Sequence, residues 1–271
     1  MLGKVLKHEF IDTGRLLWPM NLALLGCGGL GMLVCSLLDY REVTDALILM
    51  AVFLLYGLSC FAIMITEMVY LAVRFYKSMF GSESYLTHTL PVSNKAVFNG
   101  KLLTAAVWNF IALVLFLGSV GGIGFCLGRA LAGQLRLEEV IDPLDIASKQ
   151  LIDMGVPQMF FWGGLLVLLG CFSGYLMIFT SMAIGQLFEK HKILGAIGTY
   201  VVMYLLEQVI STVTVTVLAV RAMGSYDGGG EVLMAGIYGP MMKISFVLTL
   251  IMSVGLYVAG LYICDKKLNI T

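Results

Sequence analysis

The chain has 271 residues, of which 59% are hydrophobic and 13% are charged, whereas a typical soluble domain has about 45–50% apolar and about 25% charged residues. This composition excludes a water-soluble globular protein. The 17 Lys and Arg residues balance the 17 Asp and Glu residues, so no net charge indicates a nucleic acid or another polyanion as a partner.

Six apolar runs follow one another along the chain, and each is long enough to cross a bilayer. A span needs about 20 mostly apolar residues, and a backbone inside lipid must be helical unless it closes into a barrel. The runs lack the alternating pattern of barrel strands. We therefore predict an all-α polytopic membrane protein, a single transmembrane domain over residues 1–271. Its spans are expected at 16–38, 46–73, 102–128, 156–188, 193–220 and 244–264.

The basic residues are unevenly distributed between the two sides of the predicted membrane. Eleven of the 17 Lys and Arg residues fall on the side of the two termini and six on the other, whereas the acidic residues of the connections divide five to ten in the opposite sense. Because an excess of Lys and Arg marks the cytoplasmic side, both termini are predicted to be cytoplasmic.

Residues 1–15 precede the first span and mix apolar with charged side chains. The apolar residues that recur near one helical face are Leu2, Val5, Leu6, Phe10 and Leu17. This pattern predicts an amphipathic helix on the inner membrane surface. The alternative is a helical extension of the first span, but Gly14 and Pro19 favour a bend that separates the two.

The longest inner connection carries signals of an ordered element rather than a bare loop. Gly81 can end the second helix, and Pro91 can end a short helix over residues 83–90. Ser93 can cap the helix that leads into the third span. A simple connection needs only a few residues, so we interpret residues 82–93 as a docking segment for a cytosolic partner. A surface helix without a partner is the alternative.

Small residues stand four positions apart within two of the predicted spans, which allows helix backbones to approach each other closely. The pairs are Gly118 with Gly122, Gly124 with Gly128, Gly170 with Gly174, and Ser181 with Gly185. We interpret them as packing positions. The six cysteines also lie inside apolar runs without a Cys-x-x-Cys pair, which favours small buried side chains over disulfides or metal ligands.

Glu207 interrupts the fifth apolar run almost midway. A carboxyl group at bilayer depth costs about 2.5–3.5 kcal/mol on insertion scales, so we expect it to face protein or a watery cavity. Ser211 and Thr214 follow at i+4 and i+7 and make a polar stripe. The hypothesis is a translocation-pathway lining or a dimer interface; the alternative is a locally bonded Glu with hydroxyls that bond to their own helix. Glu67 is weaker evidence for a functional carboxyl inside the membrane, because its side chain can reach the inner membrane interface.

The sequence lacks motifs for catalysis, metal binding and nucleotide hydrolysis. No two of the three His residues have a metal-binding spacing. The Gly-x-x-x-x-Gly-Lys-Ser/Thr motif is absent, as are the Gly-x-Ser-x-Gly and His-Glu-x-x-His motifs. We therefore predict no catalytic residue, no metal site and no cofactor in this chain, which is not expected to be an enzyme by itself.

Two stretches carry a resemblance to a known family. The first is Met1-Leu-Gly-Lys-Val-Leu-Lys-His-Glu-Phe10, which leads into Gly14-Arg-Leu-Leu. The second is Ser84-Tyr-Leu-Thr-His-Thr-Leu-Pro-Val-Ser93, which leads into Gly100-Lys-Leu-Leu. Together with six spans and two cytoplasmic ends, they resemble the ABC-2 type transporter permeases, the membrane subunits of bacterial ABC exporters.

The resemblance implies a homodimer in the bacterial cell membrane that works with two cytosolic ATPase subunits, which bind the ATP and Mg. Membrane lipids are the remaining expected partners, and nucleic acid is not one. Segment 82–93 would be the coupling segment that contacts the ATPase. Its implied contact residues are Glu83, Tyr85, Leu86, His88, Leu90 and Pro91.

The expected function is the export of a hydrophobic or amphipathic substrate. Relatives that export polysaccharides carry their main outer structure between spans five and six, whereas here the amphipathic outer segment, 129–155, lies between spans three and four. This difference favours a peptide or bacteriocin, a drug or a lipid-like substrate, and the acidic outer surface suits a cationic antimicrobial peptide. The alternative is an ATP-independent secondary carrier or a structural membrane subunit that uses Glu207 as a proton or polar site.

Overall fold

The computed structural model describes residues 2–37, 43–81, 93–132, 156–188, 190–225 and 230–266. These residues form six α-helices and contain no β-strand. The helices are α1 (Leu2–Leu37), α2 (Val43–Phe80), α3 (Asn94–Ala132), α4 (Val156–Gly185), α5 (Lys192–Ser225) and α6 (Gly230–Lys266). The predicted all-α class is confirmed.

All six described helices are long and apolar enough to cross a membrane. They contain 30 to 39 residues, and at a rise of 1.5 Å per residue they extend for about 45 to 58 Å. The hydrocarbon core of a bilayer is about 30 Å thick, so each helix continues beyond it. Each of the six predicted spans coincides largely with one helix, although residues 186–188 of the predicted fourth span follow the end of α4. These dimensions are those of a multi-pass membrane protein.

The N-terminal residues do not form a separate helix. α1 runs without interruption from Leu2 to Leu37, with Gly14 and Pro19 inside it, so residues 1–15 belong to the helix of the first span, as in the alternative interpretation. Gly14 instead serves packing, because a Cβ at this position would lie 3.4 Å from the Trp108 ring of α3. Pro19 fits inside α1 because membrane helices accept the loss of one backbone N–H when neighbouring groups compensate for it.

Other helices also extend into residues that the sequence assigns to connections, and α3 and α6 do so on the side opposite the termini. α3 continues to Ala132, so the first four residues of the predicted outer segment 129–155 belong to this helix. Residues 133–155 lie outside the described residues. α6 begins at Gly230 and so includes much of the predicted connection that precedes the sixth span.

The chain divides into two compact units. The first, which we call the α1–α3 unit, comprises residues 7–73 and 107–146. The second, which we call the α4–α6 unit, comprises residues 1–6, 74–106 and 147–271. It contains α4, α5 and α6 together with the C-terminal end of α2 and the N-terminal end of α3.

The α1–α3 unit is held together along one face of α1, where buried residues recur every three or four positions. They are Thr13, Leu17, Asn21, Leu24, Gly28, Gly31 and Cys35. At Gly28 a Cβ would lie 2.5 Å from the Ser119 Cβ, so the α1 and α3 backbones approach each other here. Ser119 donates a hydrogen bond to the Phe116 carbonyl at 2.8 Å and accepts one from the Tyr56 hydroxyl of α2. These contacts therefore join α1, α2 and α3 through small residues and one pair of hydroxyl groups.

In the α4–α6 unit, α4 packs along both α6 and α5, whereas α5 and α6 meet over a shorter stretch. The Thr180 hydroxyl of α4 donates a hydrogen bond to the Leu256 carbonyl of α6 at 3.1 Å. At Gly185 a Cβ would lie 2.5 Å from the Ala196 amide nitrogen, so α4 and α5 touch at the backbone. Of the described side chains of α5, only that of Ala196 is buried. The rest of α5 is left accessible to lipid or to a partner.

The predicted small-residue pairs pack only in part. Gly122 contacts the Met32 side chain, and Gly185 contacts Ala196. A Cβ would meet no other described atom within 4 Å at Gly118, Gly124, Gly128, Gly170 or Gly174. Within the described residues, most of these glycines therefore lie on open helix surfaces. The six cysteines lie within helices, four of them buried and two partly buried.

Candidate functional site

Two regions contain the predicted site residues. The first is segment 82–93, the predicted coupling segment, whose residues Glu83, Tyr85, Leu86, His88, Leu90 and Pro91 all lie outside the described residues. The structure describes the two helix ends that flank this segment. Both ends belong to the α4–α6 unit.

The first flanking end is the C-terminus of α2. The helix stops at Phe80, and the Gly81 amide donates hydrogen bonds to the carbonyls of Tyr76 at 3.1 Å and Lys77 at 3.2 Å. A Cβ on residue 81 would lie 2.8 Å from the Lys77 carbonyl oxygen. Glycine is thus the residue that lets the chain leave α2 at this point, as predicted.

The second flanking end is the N-terminus of α3. Ser93 precedes the first helical residue, and its hydroxyl accepts a hydrogen bond from the Ala96 amide at 3.4 Å. This arrangement is that of an N-cap, and it confirms the predicted role of Ser93. Two neighbouring residues attach the same end to α6. The side-chain amide of Asn94 donates a hydrogen bond to the Cys264 carbonyl at 3.4 Å, and the Lys95 ammonium group pairs with the Asp265 carboxylate at 3.3 Å.

A cluster of aromatic rings joins these two helix ends to α4. The Phe75 ring of α2 stacks on the Phe179 ring of α4 with centroids 3.8 Å apart and an interplanar angle of 3°. The Phe98 ring of α3 meets both rings edge-on, at 5.9 and 6.5 Å, and Tyr257 of α6 lies 6.5 Å from Phe98. Aromatic contacts of this kind favour defined relative orientations. The ends of α2 and α3 are thus fixed to α4 and α6.

The second region is the polar stripe on α5. Glu207 lies midway between Lys192 and Arg221, the charged residues at the two ends of this candidate span. Glu207, Ser211 and Thr214 face the same cavity, as their spacing of four and three residues predicts. The cavity has a volume of about 230 Å³ and lies between α5 and α6. The structure therefore places all three residues of the predicted stripe at one site.

The opposite wall of the cavity is formed by α6. The cavity is lined by Tyr204, Glu207, Gln208, Ile210, Ser211 and Thr214 of α5 and by Ser245, Leu248, Thr249 and Met252 of α6. Glu207 is the one formally charged residue of this lining. Hydroxyl and amide groups surround it, and the Tyr204 ring with three aliphatic or thioether side chains completes the wall.

The hydroxyls of the cavity differ in what they already bind. Thr214 donates to the carbonyl of Ile210, one turn earlier, at 2.7 Å, which matches the alternative interpretation for this residue. Among the described residues, neither the Glu207 carboxyl nor the hydroxyls of Ser211, Ser245 and Thr249 have a hydrogen-bond or ion-pair partner. The local-bonding alternative therefore describes Thr214 but not Glu207, which faces the cavity without a protein partner in this part of the chain.

Sequence reasoning missed the α6 side of the site. Ser245 and Thr249 stand at i and i+4 within the sixth span, the same helical spacing that identified the α5 stripe. Isolated hydroxyl residues are common in membrane helices because they can bond to their own backbone. The sequence therefore contained a weak signal, and only the packing of α5 against α6 shows that the two stripes meet.

The second carboxyl within a predicted span, Glu67, is more deeply buried than the sequence suggested. It lies on α2 with 2% of its surface exposed, so the protein itself covers it. Within the described part of the chain, its Oε1 atom has no hydrogen-bond partner. Asn21 of α1 is also buried, with its amide nitrogen bonded to the Leu17 carbonyl at 2.9 Å and its Oδ1 atom without a described partner.

A second cavity in the α4–α6 unit is almost wholly apolar. It has a volume of about 360 Å³ and lies among α3, α4 and α6, where Leu102, Leu169, Phe172 and Leu250 contribute to its lining. Its composition suits a hydrocarbon chain, whether from lipid or from a substrate. It contains no charged residue, in contrast to the Glu207 cavity.

Comparison with protein-family models, with curated proteins and with solved structures finds no match to this chain.

Proposed function

We propose that the chain is the permease subunit of an ATP-driven ABC exporter in the bacterial cytoplasmic membrane. It would move a hydrophobic or amphipathic substrate outward, while a separate cytosolic subunit binds and hydrolyses ATP. The observation that carries the transport part of this proposal is the polar cavity around Glu207, halfway along one of the six apolar helices of the described residues. A polar group at this depth is costly and marks a functional site by default.

The ATP-driven part of the proposal rests on the resemblance of residues 84–93 to the first inner loop of ABC-2 permeases. The geometry around this segment supports a coupling role, because α2 ends at Gly81 and α3 begins after the cap at Ser93. The segment thus connects the C-terminus of α2 to the N-terminus of α3, and the Phe75, Phe98 and Phe179 rings join both helix ends to α4.

A displacement of the coupling segment would be transmitted through these contacts. Because packed aromatic rings resist sliding, movement of the flanking helix ends would move α4 and with it α5, whose backbone touches α4 at Gly185 and Ala196. The Glu207 cavity belongs to the same unit and lies between α5 and α6. We propose this sequence of contacts as the route from nucleotide-driven closure to the cavity.

The proposal includes cytoplasmic termini and a dimer of two permeases with two ATPases. The charge distribution of the sequence supports the orientation. The exposed surface of α5 supports an additional partner in the membrane, because polar groups such as Gln208 and Ser211 lie on it at bilayer depth. A second copy of the chain is the partner that the family resemblance implies.

The test is affinity purification of the tagged chain from its own membranes, followed by identification of bound subunits. We expect a P-loop ATPase in stoichiometric amount. Replacement of Tyr85, Leu86 and Leu90 by Ala should abolish its binding, whereas the control Leu187→Ala, in the turn after α4, should not. Recovery of the chain without an ATPase, or undiminished binding by the triple variant, would contradict the coupling role.

The Glu207 carboxyl supports one competing function, an ATP-independent secondary carrier driven by protons. Its carboxyl faces the cavity and has no hydrogen-bond or ion-pair partner among the described residues. In proteoliposomes that contain the chain alone, a carrier would move substrate in response to a proton gradient. The exporter proposal expects no such flux without the ATPase and ATP.

A further inference from the structure

We infer that the Glu207 cavity is a binding site for the ammonium head group of an amphipathic cation. The inference deepens the proposed function. The claim that the exported substrate is such a cation rests on that function. As a statement about binding, it stands on the chemistry of the cavity alone.

The charge of the site selects the sign of the ligand. Glu207 is the only formally charged residue of the lining, and no described residue neutralises it. A carboxylate with no protein partner in a largely apolar surrounding binds a cation more strongly than it would in water. A cationic ligand would therefore supply the counter-charge that the described chain does not.

The hydrogen-bonding groups select the kind of cation. A primary ammonium group offers three N–H donors and no acceptor. The hydroxyl oxygens of Ser211, Ser245 and Thr249 have no described partner, so together with the carboxylate they provide a set of acceptors from both helices. The Tyr204 ring lines the same cavity, and an aromatic face attracts an ammonium group within about 6 Å of its centroid.

The remaining lining selects an amphipathic ligand over a bare metal ion. Ile210, Leu248 and Met252 place apolar surface beside the carboxylate, which suits an alkyl chain attached to the head group. Divalent ions such as Ca²⁺ take six to eight oxygen ligands, commonly with several carboxylates. The described residues contain no cluster of three His, Cys, Asp or Glu residues, so such a site is not favoured here.

The size and access of the cavity agree with this choice. Its volume of about 230 Å³ is below the range of about 300–1,000 Å³ for sites that enclose a drug-sized molecule. The cavity can thus hold a head group and the first part of its chain. Tyr204 and Ser211 are exposed on α5, so an amphiphile already in the bilayer can enter the cavity from the side without crossing water.

The test measures equilibrium binding of radiolabelled dodecylammonium to the full chain in nanodiscs, with empty nanodiscs to subtract partition into lipid. We expect saturable binding that Glu207→Gln weakens at least about tenfold, because charge-assisted hydrogen bonds are lost. Glu207→Asp should retain most of the affinity. Thr249→Val, which removes a cavity hydroxyl at constant shape, should weaken binding several-fold, whereas Thr216→Val, outside the lining, should not.

Three outcomes would overturn the inference: equal binding by the wild type and Glu207→Gln, equal binding of neutral dodecanol, or displacement of the probe by Na⁺ at matched ionic strength. A fourth is a Glu207→Gln variant that loses cross-linking between copies while binding the probe unchanged, which would assign the cavity to a dimer interface. Because no ATPase is present, failure of the exporter proposal leaves this result unaffected. Absence of amine binding in a chain that still recruits an ATPase would overturn only the ligand assignment.

Discussion

Phe75 of α2 and Phe179 of α4 stack face to face with their ring centroids 3.8 Å apart, and both side chains are almost completely buried. Phe75 lies less than two turns before Gly81, where the chain leaves α2 for the coupling segment. This contact therefore attaches the helix end that would receive a signal from the ATPase to the helix on which α5 and α6 both pack.

Removal of one ring should weaken the whole unit. Phe179→Ala deletes a buried aromatic side chain, and such truncations cost about 3–5 kcal/mol. We expect a marked fall in the thermal unfolding midpoint in detergent. The control is Phe160→Ala on the same helix, where 77% of the side chain is exposed and the change should be small. Equal effects of the two variants would show that the stacked pair does not stabilise the unit.

The close approach of α4 and α5 should depend on the absence of a side chain at residue 185. Gly185→Ala places a Cβ 2.5 Å from the Ala196 backbone nitrogen, and overpacking of this kind costs about 1–3 kcal/mol. Gly174→Ala on the same helix meets no described atom within 4 Å, and it should be neutral or stabilising by up to about 1 kcal/mol because Ala favours helix. A comparison of unfolding midpoints tests the pair, and an equally stable Gly185→Ala variant would contradict the contact.

Adjacent glycines in α1 allow the same comparison in the α1–α3 unit. Gly28→Ala would bring a Cβ to 2.5 Å from the Ser119 Cβ, whereas Gly29→Ala meets no described atom within 4 Å. We expect destabilisation by about 1–3 kcal/mol for the first variant only. Displacement of Ser119 would also disturb its hydrogen bond with Tyr56. If Gly29→Ala were the more damaging change, the assigned face of α1 would be wrong.

Substrate response should depend on the carboxyl of Glu207. In a complex with the proposed ATPase, Glu207→Gln should lower substrate-stimulated ATP hydrolysis at least about tenfold and leave the basal rate and assembly intact, because the cavity lining belongs to α5 and α6 and not to segment 82–93. Thr216→Val provides the control, since its hydroxyl donates to the Thr212 carbonyl of its own helix at 2.8 Å. Unchanged stimulation in the Glu207 variant would separate the cavity from transport.

The features that the sequence predicted well are those with local physical causes. Long apolar runs determine the spans, a glycine ends α2, and a serine caps α3. The grouping of Glu207 and Ser211 follows from the helical period alone.

The features that the sequence did not predict depend on how helices rotate against one another. Ser245 and Thr249 join the cavity only because α6 turns that face toward α5, and the burial of Glu67 likewise depends on tertiary packing. The sequence did not predict how α1 packs on α3 either. Contacts such as the hydrogen bond from the Trp108 ring nitrogen to the Thr13 hydroxyl, at 2.9 Å, attach its N-terminal turns to α3, although Gly14 and Pro19 locally favour a bend.

The central claim, that this chain couples ATP hydrolysis to movement of an amphipathic substrate, is tested most directly by the ATPase rate of the purified complex in proteoliposomes. A panel of amphipathic peptides, drugs and lipids would be added to the wild type and to the Tyr85, Leu86 and Leu90 triple Ala variant. We predict that at least one compound stimulates hydrolysis in the wild type, and that the variant yields no complex and no stimulated activity. Purification of the chain without an ATPase, together with substrate flux driven by a proton gradient alone, would contradict the account.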